Sequence, residues 1–149
     1  MSVKEFVLKK LEENRGIPLS GEAIANSLSV SRAAVWKAVR ALEAEGYHIE
    51  AVPNQGYTLC TDNDLLSTQG ILPYLTPPLK SREIRVFPCL PSTNQEAKRM
   101  ALESAEQGSA VLAEEQSAGR GRLGRSFFSP RGNGLYMSVI LKPQGTIHD

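Results

Sequence analysis

At 149 residues, 41% of them hydrophobic and 22% charged, with a formal net charge of +1, the chain has the make-up of a folded protein of one medium domain or two small ones. Neither disorder nor a membrane span is indicated. The longest apolar runs, such as residues 137–141, are strand-sized and far short of the ~20 residues a bilayer requires. The opening "MSVKEFVLKKLEENRG" interleaves acids and bases without a long apolar core and does not read as a signal peptide. Cys60 and Cys89 stand far apart with no partner spacing, which fits a cytoplasmic protein with free thiols. His48 and His148 form no metal-ligand spacing with each other or with a cysteine, so no protein-bound structural metal is expected.

Three helical segments open the chain. Val3, Phe6, Val7 and Leu11 share one helical face, and Gly16 and Pro18 stop that helix. Ser20 is the expected cap of a second helix, with Ala23, Ile24 and Leu28 facing inward. Ser31 caps a third, "SRAAVWKAVRALEAEG", whose apolar stripe is Val35, Val39 and Leu42 and whose stop is Gly46. The period then changes. "YHIEAVPNQGYTL" carries Ile49 and Val52, turns at "PNQG" and resumes with Tyr57 and Leu59. That reads as a β-hairpin with Gly56 supplying turn flexibility.

Three short helices and a hairpin predict a winged helix-turn-helix over residues 1–62, a DNA-binding domain with its tight turn at residues 29–31. Ser31, Arg32, Lys37 and Arg40 are the candidate DNA contacts, able to reach phosphates or base edges. This stretch holds seven bases and eight acids, a net charge of −1. Tight binding therefore requires two copies on a two-fold operator rather than a broad electrostatic footprint. A helical interaction domain that never meets DNA is the alternative. Trp36, beside the apolar stripe, is expected to pack in the core or under the wing rather than on DNA.

Residues 63–82 read as a linker. Leu65, Leu66, Ile71 and Leu72 suggest a short helix, and Pro77-Pro78 is expected to forbid regular structure. From residue 83 the pattern is mixed. A strand in "REIRVFPCL" precedes a helix in "STNQEAKRMALESAEQG". Ser92 or Thr93 caps that helix, Ala97, Met100, Ala101 and Ala105 lie on one side, and Gly108 ends it. "SAVLAEEQ" and "GLYMSVILKP" are two more strands, and in the last Tyr136, Ser138 and Ile140 alternate with Met137, Val139 and Leu141. Residues 83–149 thus begin a mixed α/β catalytic-type domain, and the fold class of the whole is α+β.

"AGRGRLGR" at residues 118–125 holds three arginines and three glycines with no acid. Like charges this close repel unless an anion lies between them. Gly119, Gly121 and Gly124 fit G-x-G-x-x-G, yet "RSFFSPRGNG" beyond them reads as loop. A dinucleotide fingerprint must open a helix there and show an acid about 20 residues on, and none occurs until Asp149. No G-K-[ST] occurs either, so a P-loop is excluded. What remains is a loop whose guanidinium groups and backbone N–H groups clasp a carboxylate or phosphate, mobile when empty and ordered by an anion. A solvated basic loop or a nucleic-acid arm of RGG type is the alternative.

"STN" at residues 92–94, "EEQSAGRGRLGRSFFSP" and "GLYMSVIL", in this order behind "SRAAVWKAVRALEAEGY" and "VPNQGYTL", resemble the biotin protein ligase family. The winged helix makes the chain similar to its bifunctional members, which also repress the biotin operon. The resemblance implies a biotin/lipoate-ligase-like fold for the second half. It implies that Ser92, Thr93 and Asn94 line the biotin end of the pocket, and that Gln116, Arg120, Gly121 and Arg122 contact biotin or its activated carboxyl. Arg122 is then the catalytic residue, stabilising carboxylate and phosphate, while Gly119, Gly124 and Arg125 belong to the loop that closes over biotinyl-5′-adenylate. Phe127 stands where the family often has a tryptophan over the adenine, and Leu123 where it often has an arginine.

The implied reaction is activation of biotin by ATP with Mg²⁺, then transfer to a lysine of the biotin carboxyl carrier protein, the reaction of a biotin–[acetyl-CoA-carboxylase] ligase. The implied partners are biotin operon operator DNA, that carrier protein and, with ligand bound, a second copy of the chain, in the cytoplasm and away from membranes. The family's later Lys-Trp-Pro-Asn-Asp segment and small β-barrel have no counterpart here. The sequence therefore looks truncated, like the first half of a ligase, and is expected to be inactive as a ligase alone. A DNA-binding regulator with a degenerate biotin- or acyl-adenylate sensor is the alternative, and a lipoate or other acyl-adenylating ligase is a third reading that the Gly–Arg loop disfavours.

Overall fold

Residues 1–143 are described by a computed structural model, and they fall into two units, one running to Tyr74 and one starting at Leu75. In the first unit, each of the first three helices begins at a serine. Helix α1 (Val3–Glu13) opens with a capping box in which Ser2 and Glu5 exchange hydrogen bonds. In α2 (Gly21–Leu28) the Ser20 hydroxyl accepts from the Glu22 and Ala23 N–H groups, and in α3 (Arg32–Ala44) Ser31 accepts from Ala34 N–H. Such caps satisfy donors that the first turn of a helix leaves unpaired. Between α2 and α3, Ser29 adopts a left-handed conformation (φ 53°), and the Val30 N–H returns to the Ala25 carbonyl at 3.0 Å. That is the helix-turn-helix junction.

Val7, Leu11, Val35, Val39, Leu42 and Leu59 are fully buried in one core. Two expected inward residues are corrected. Phe6 is exposed and Leu8 is buried instead; α1 packs against α2, α3 and the hairpin, which turns its buried stripe about one residue further round the helix. Ala23 is exposed and Ala25 buried, because the turn after α2 folds back over Ala25.

The wing is an antiparallel pair, β1 (Ile49–Val52) with β2 (Gly56–Leu59), in the register Ile49↔Leu59 and Val52↔Gly56. Leu19 adds a further bridge, exchanging two 2.9 Å hydrogen bonds with Tyr57. Gly56 sits at φ 110°, and a Cβ there would lie 2.0 Å from the Leu19 carbonyl oxygen. The neighbouring segment, as well as the turn, demands glycine.

Residues 63–74 pack with the first unit. Asn63 and Ser67 are buried, Arg15 donates to the Asn63 carbonyl at 2.7 Å, and it pairs with the buried Glu12 at 2.6 Å. Leu65 and Leu66 are not helical, whereas α4 (Thr68–Ile71) starts at Ser67 and runs into a 3₁₀ turn, Leu72–Tyr74. The expectation for Pro77-Pro78 is overturned: both stand in the first turn of a short helix, α5 (Pro77–Lys80). First-turn N–H groups have no helical acceptor, so proline loses nothing there.

In the second unit, β3 (Ile84–Phe87) runs parallel to β4 (Ala110–Ala113), and β4 pairs antiparallel with β5 (Tyr136–Val139). Helix α6 (Thr93–Leu102) is the crossover between the parallel strands. Ala97 and Met100 of α6 share a core with Leu90, Val111, Ala113 and Ile140. The helix stops earlier than expected, at Leu102, where Ser104 takes φ 72°. Gly108 instead shapes the entry to β4, its N–H bonding the Ile140 carbonyl at 2.9 Å. Alternation along the last strand holds. Tyr136 and Ser138 are half-buried and Ile140 buried, while Met137, Val139 and Leu141 are exposed. Among the described residues no helix is long and apolar enough to cross a membrane. His148 and Asp149 lie outside the described residues.

Candidate functional site

The start of α6 forms the floor of a cleft of about 280 Å³ lined by Ser92, Thr93, Asn94, Gln95, Lys98, Gln116, Arg120 and Ser138. Gln116 is its central fixture. Its Oε1 accepts from the Thr93 N–H at 2.8 Å and the Thr93 hydroxyl at 3.1 Å, and its Nε2 donates to Ser129 Oγ at 3.1 Å. Ser138 of β5 donates to Thr93 Oγ1 at 3.0 Å. The amide of Gln116 therefore stands in for a cap at this helix terminus, and Ser92, though N-cap by position, makes no side-chain capping bond. Among the described residues the N–H groups of Asn94 and Gln95 keep no backbone partner. With the helix dipole behind them, they present positive potential to the cleft.

Beyond Gln116 the chain makes a narrow arm rather than an irregular loop. Gln116 bridges Ser129 and Arg120 bridges Ser126, the Phe127 N–H bonds the Gly119 carbonyl at 2.8 Å, and the Gly121 N–H bonds the Arg125 carbonyl at 2.7 Å. Two strands meet so closely at Gly119 that a Cβ would lie 2.4 Å from the Phe127 carbonyl oxygen. The arm's tip is a 3₁₀ turn, Arg122–Gly124, in which Leu123 takes φ 56° and is 95% exposed.

The charges of the arm differ from those elsewhere. Arg15, Arg40, Arg82, Arg85, Arg99 and Arg131 each pair with a glutamate. Arg99 and Arg85 hold the Glu96 carboxyl below the usual carboxylate range, Arg99 by the larger effect. Among the described residues no ion pair engages Arg120, Arg122, Arg125 or, in the first unit, Arg32. The structure thus brings Ser92, Thr93, Asn94, Gln116 and Arg120 together. Gly119 abuts Gln116, but Gly121, Arg122 and Arg125 do not line the cleft. Sequence reasoning missed Gln95, Lys98 and Ser138. The i, i+4 spacing of Asn94 and Lys98 and the inward place of Ser138 on β5 were the available signals.

In the first unit, a groove of about 750 Å³ lies between α3, the start of α2 and the wing, lined by Arg32, Ala33 and Trp36 on one side and residues 51–57 on another. Of the two places expected for Trp36, the core is overturned and the wing side is where it stands: it is 50% exposed, shares this groove with the wing and stacks under the Arg40 guanidinium, 5.6 Å from the ring centre. Arg40 also bonds Glu43 at 2.9 Å, whereas Arg32 and Lys37 are exposed. Ser31 is occupied as a cap.

His48 and Cys60, which show no metal-ligand spacing along the sequence, come together in the fold. One donor atom each from His48, Glu50 and Cys60 lie within 4.8 Å of one another, because the hairpin register sets position 48 against position 60. Burial, then the carboxylates of Glu50 and Asp62, push the Cys60 thiol pKa up.

Comparison with known proteins accounts for both units. Residues 3–58 match an HTH domain, and residues 86–148 match the Biotin/lipoate A/B protein ligase family. The chain is an HTH domain followed by a biotin/lipoate ligase-type domain. It is 39% identical over 125 residues to the Bifunctional ligase/repressor BirA of Bacillus subtilis, a match covering 84% of this chain and 38% of that protein. The corresponding protein of Escherichia coli is 39% identical over 121 residues, covering 81% of this chain and 36% of the relative. The chain therefore spans well under half the length of these relatives. In the ligase-type domain the arm and the cleft described above both fall within the matched residues, and in the HTH domain so do Ser31, Arg32, Lys37 and Arg40.

Proposed function

We propose that this chain carries the operator-binding and adenylate-holding elements of a biotin protein ligase that also represses transcription. The observation that carries the reading is the set of three guanidinium groups left without carboxylates on an arm that leaves the cleft at Gln116, beside a helix N-terminus. An anionic ligand supplies the missing counter-charge. Ser92, Thr93 and Asn94 bind the biotin end, and Arg120 faces its carboxylate. Arm closure brings Arg122, the proposed catalytic residue, and Arg125 against the phosphate, with Gly119, Gly121 and Gly124 letting the backbone bend.

In the proposed reaction a carboxylate oxygen of biotin attacks the α-phosphorus of ATP. The new O–P bond forms as the bond to the β-phosphate bridging oxygen breaks, and pyrophosphate leaves with that electron pair. The amine of an acceptor lysine on the biotin carboxyl carrier protein then attacks the acyl carbon, AMP leaves, and the ammonium proton passes to solvent. Two anions must be held together for the first step, and positioned guanidinium groups lower that repulsion. None of the residues lining the cleft is a carboxylate. The lining of this cleft therefore offers no fit for Mg²⁺, and no step is assigned to it.

The second element of the proposal is the operator. Arg32 and Lys37 contact phosphates or bases from α3, the wing lies alongside, and ligand-driven pairing of two chains supplies the second half-site. Isothermal titration of the chain with biotinyl-5′-adenylate tests the first element. Arg122→Ala is expected to weaken binding by ~10- to 100-fold, the value of a charge-assisted contact, and Leu123→Ala to leave it nearly unchanged. Equal weakening by both would mean that the arm works by packing. Fluorescence anisotropy with biotin-operon promoter DNA tests the second, and no ligand-dependent binding would sink the repressor reading.

A further inference from the structure

We propose that His48, Glu50 and Cys60 form a site for a borderline-soft divalent cation, zinc above all, that clamps the base of the wing. The site lies wholly in the first unit and does not depend on the ligase reading.

The arrangement follows from strand geometry. Side chains alternate across a strand with period two. Ile49 and Leu59, paired in register, both point into the core. His48 and Glu50 therefore share the opposite face of β1, and Cys60 shares it from the facing chain. The ladder extends to this pair, since the Cys60 N–H donates to the His48 carbonyl at 2.9 Å. The three donor atoms lie within 4.8 Å of one another. Donors around a tetrahedral zinc ion are separated by about 3.5 Å, given bonds of about 2.0–2.3 Å. Side-chain rotation alone closes the difference, while the backbone stays pinned by its hydrogen bonds.

The donor set identifies the ion. Imidazole, thiolate and carboxylate together suit zinc, with cobalt as its spectroscopic substitute, and do not suit magnesium or calcium, which take oxygen. Asp62 completes the arrangement. Its Oδ1 is 3.3 Å from His48 Nδ1, where a carboxylate orients a metal-bound histidine. Water fills the fourth position, since His48 and Asp62 are both exposed. On binding, the Cys60 S–H bond breaks, the sulfur electron pair forms the bond to the metal, and the proton leaves to solvent. The ion would tie β1 to the strand exit where the His48 N–H donates to Asn63 Oδ1 at 3.3 Å, just before the chain turns into residues 63–74.

The test uses the whole chain in metal-free buffer, titrated with Zn²⁺ by calorimetry and with Co²⁺ by absorption. One ion per chain is expected, with a thiolate-to-cobalt charge-transfer band and a raised melting temperature. Cys60→Ala should abolish the band, and His48→Ala and Glu50→Gln should each weaken binding at least ~10-fold. Asp62→Asn should weaken it by about 10-fold and keep the band. Cys89→Ala should change nothing. All these positions but Cys60 are exposed, so folding is retained, and metal-free circular dichroism verifies it. Absence of zinc binding at micromolar concentration overturns the proposal. So does binding that survives Cys60→Ala, or that is lost in Cys89→Ala.

Discussion

The two units solve the problem of burial differently. In the first, the helices and wing close around one core, and its largest buried side chains have no contact with water. Its only arginine without an ion pair among the described residues is Arg32, at the start of α3. In the second, α6 covers one face of a three-stranded sheet, the outward side of β5 carries exposed Met137, Val139 and Leu141, and three arginines crowd one arm without acids. The first unit spends its residues on stability and leaves one helix end free. The second leaves charge unsatisfied where a ligand would enter. In the proposed function, the arginines left unpaired are the ones that meet an anionic ligand or DNA.

The largest expected effect tests that contrast directly. Leu42→Ala, at a position with no exposure, should destabilise the first unit by about 3 kcal/mol through a cavity in a closed core. Met137→Ala, on the outward side of β5, should cost under about 0.5 kcal/mol. Urea unfolding of both variants makes the comparison, and equal costs would break it. Next comes Arg120→Ala, which removes the one arm guanidinium that already lines the cleft. Biotinyl-5′-adenylate affinity should fall by ~10- to 100-fold with the urea midpoint unchanged. A fall in stability instead would show Arg120 to be structural.

A smaller effect is expected on DNA. Arg32→Ala should weaken operator binding and reduce the slope of log K against log salt by about 1. Arg40→Ala should do less, because Glu43 and Trp36 already hold its guanidinium. Smallest is the Glu96 network. The Glu96 carboxyl is held low by Arg99 and Arg85, so its stabilisation is present above the ordinary glutamate range and lost as pH falls through the depressed value. Glu96→Gln should lower stability by about 1 kcal/mol or less at pH 7, given partly exposed partners, and flatten the acid limb of the second unit's pH–stability profile.

Local chemistry was legible in the residues themselves. A shared apolar face marked α1, serines before apolar runs marked α2 and α3, glycine and a change of period marked the wing, and alternation marked β5, because caps and periodicity depend on neighbours within a few positions. The arginine cluster of residues 120–125 was equally visible, since repulsion among near neighbours needs no fold to be noticed. What only the tertiary structure decided depends on contacts distant in the chain. Leu19 reaching Tyr57 explains Gly56, and the wing facing α3 brings Trp36 out of the core. The crossover of α6 delivers Thr93 to Gln116 and Ser138, and hairpin register places His48 against Cys60 across twelve positions. A sequence states which donors, charges and apolar faces are available. Which of them meet is fixed by strand register and helix packing, where one residue of slip moves a side chain to another face.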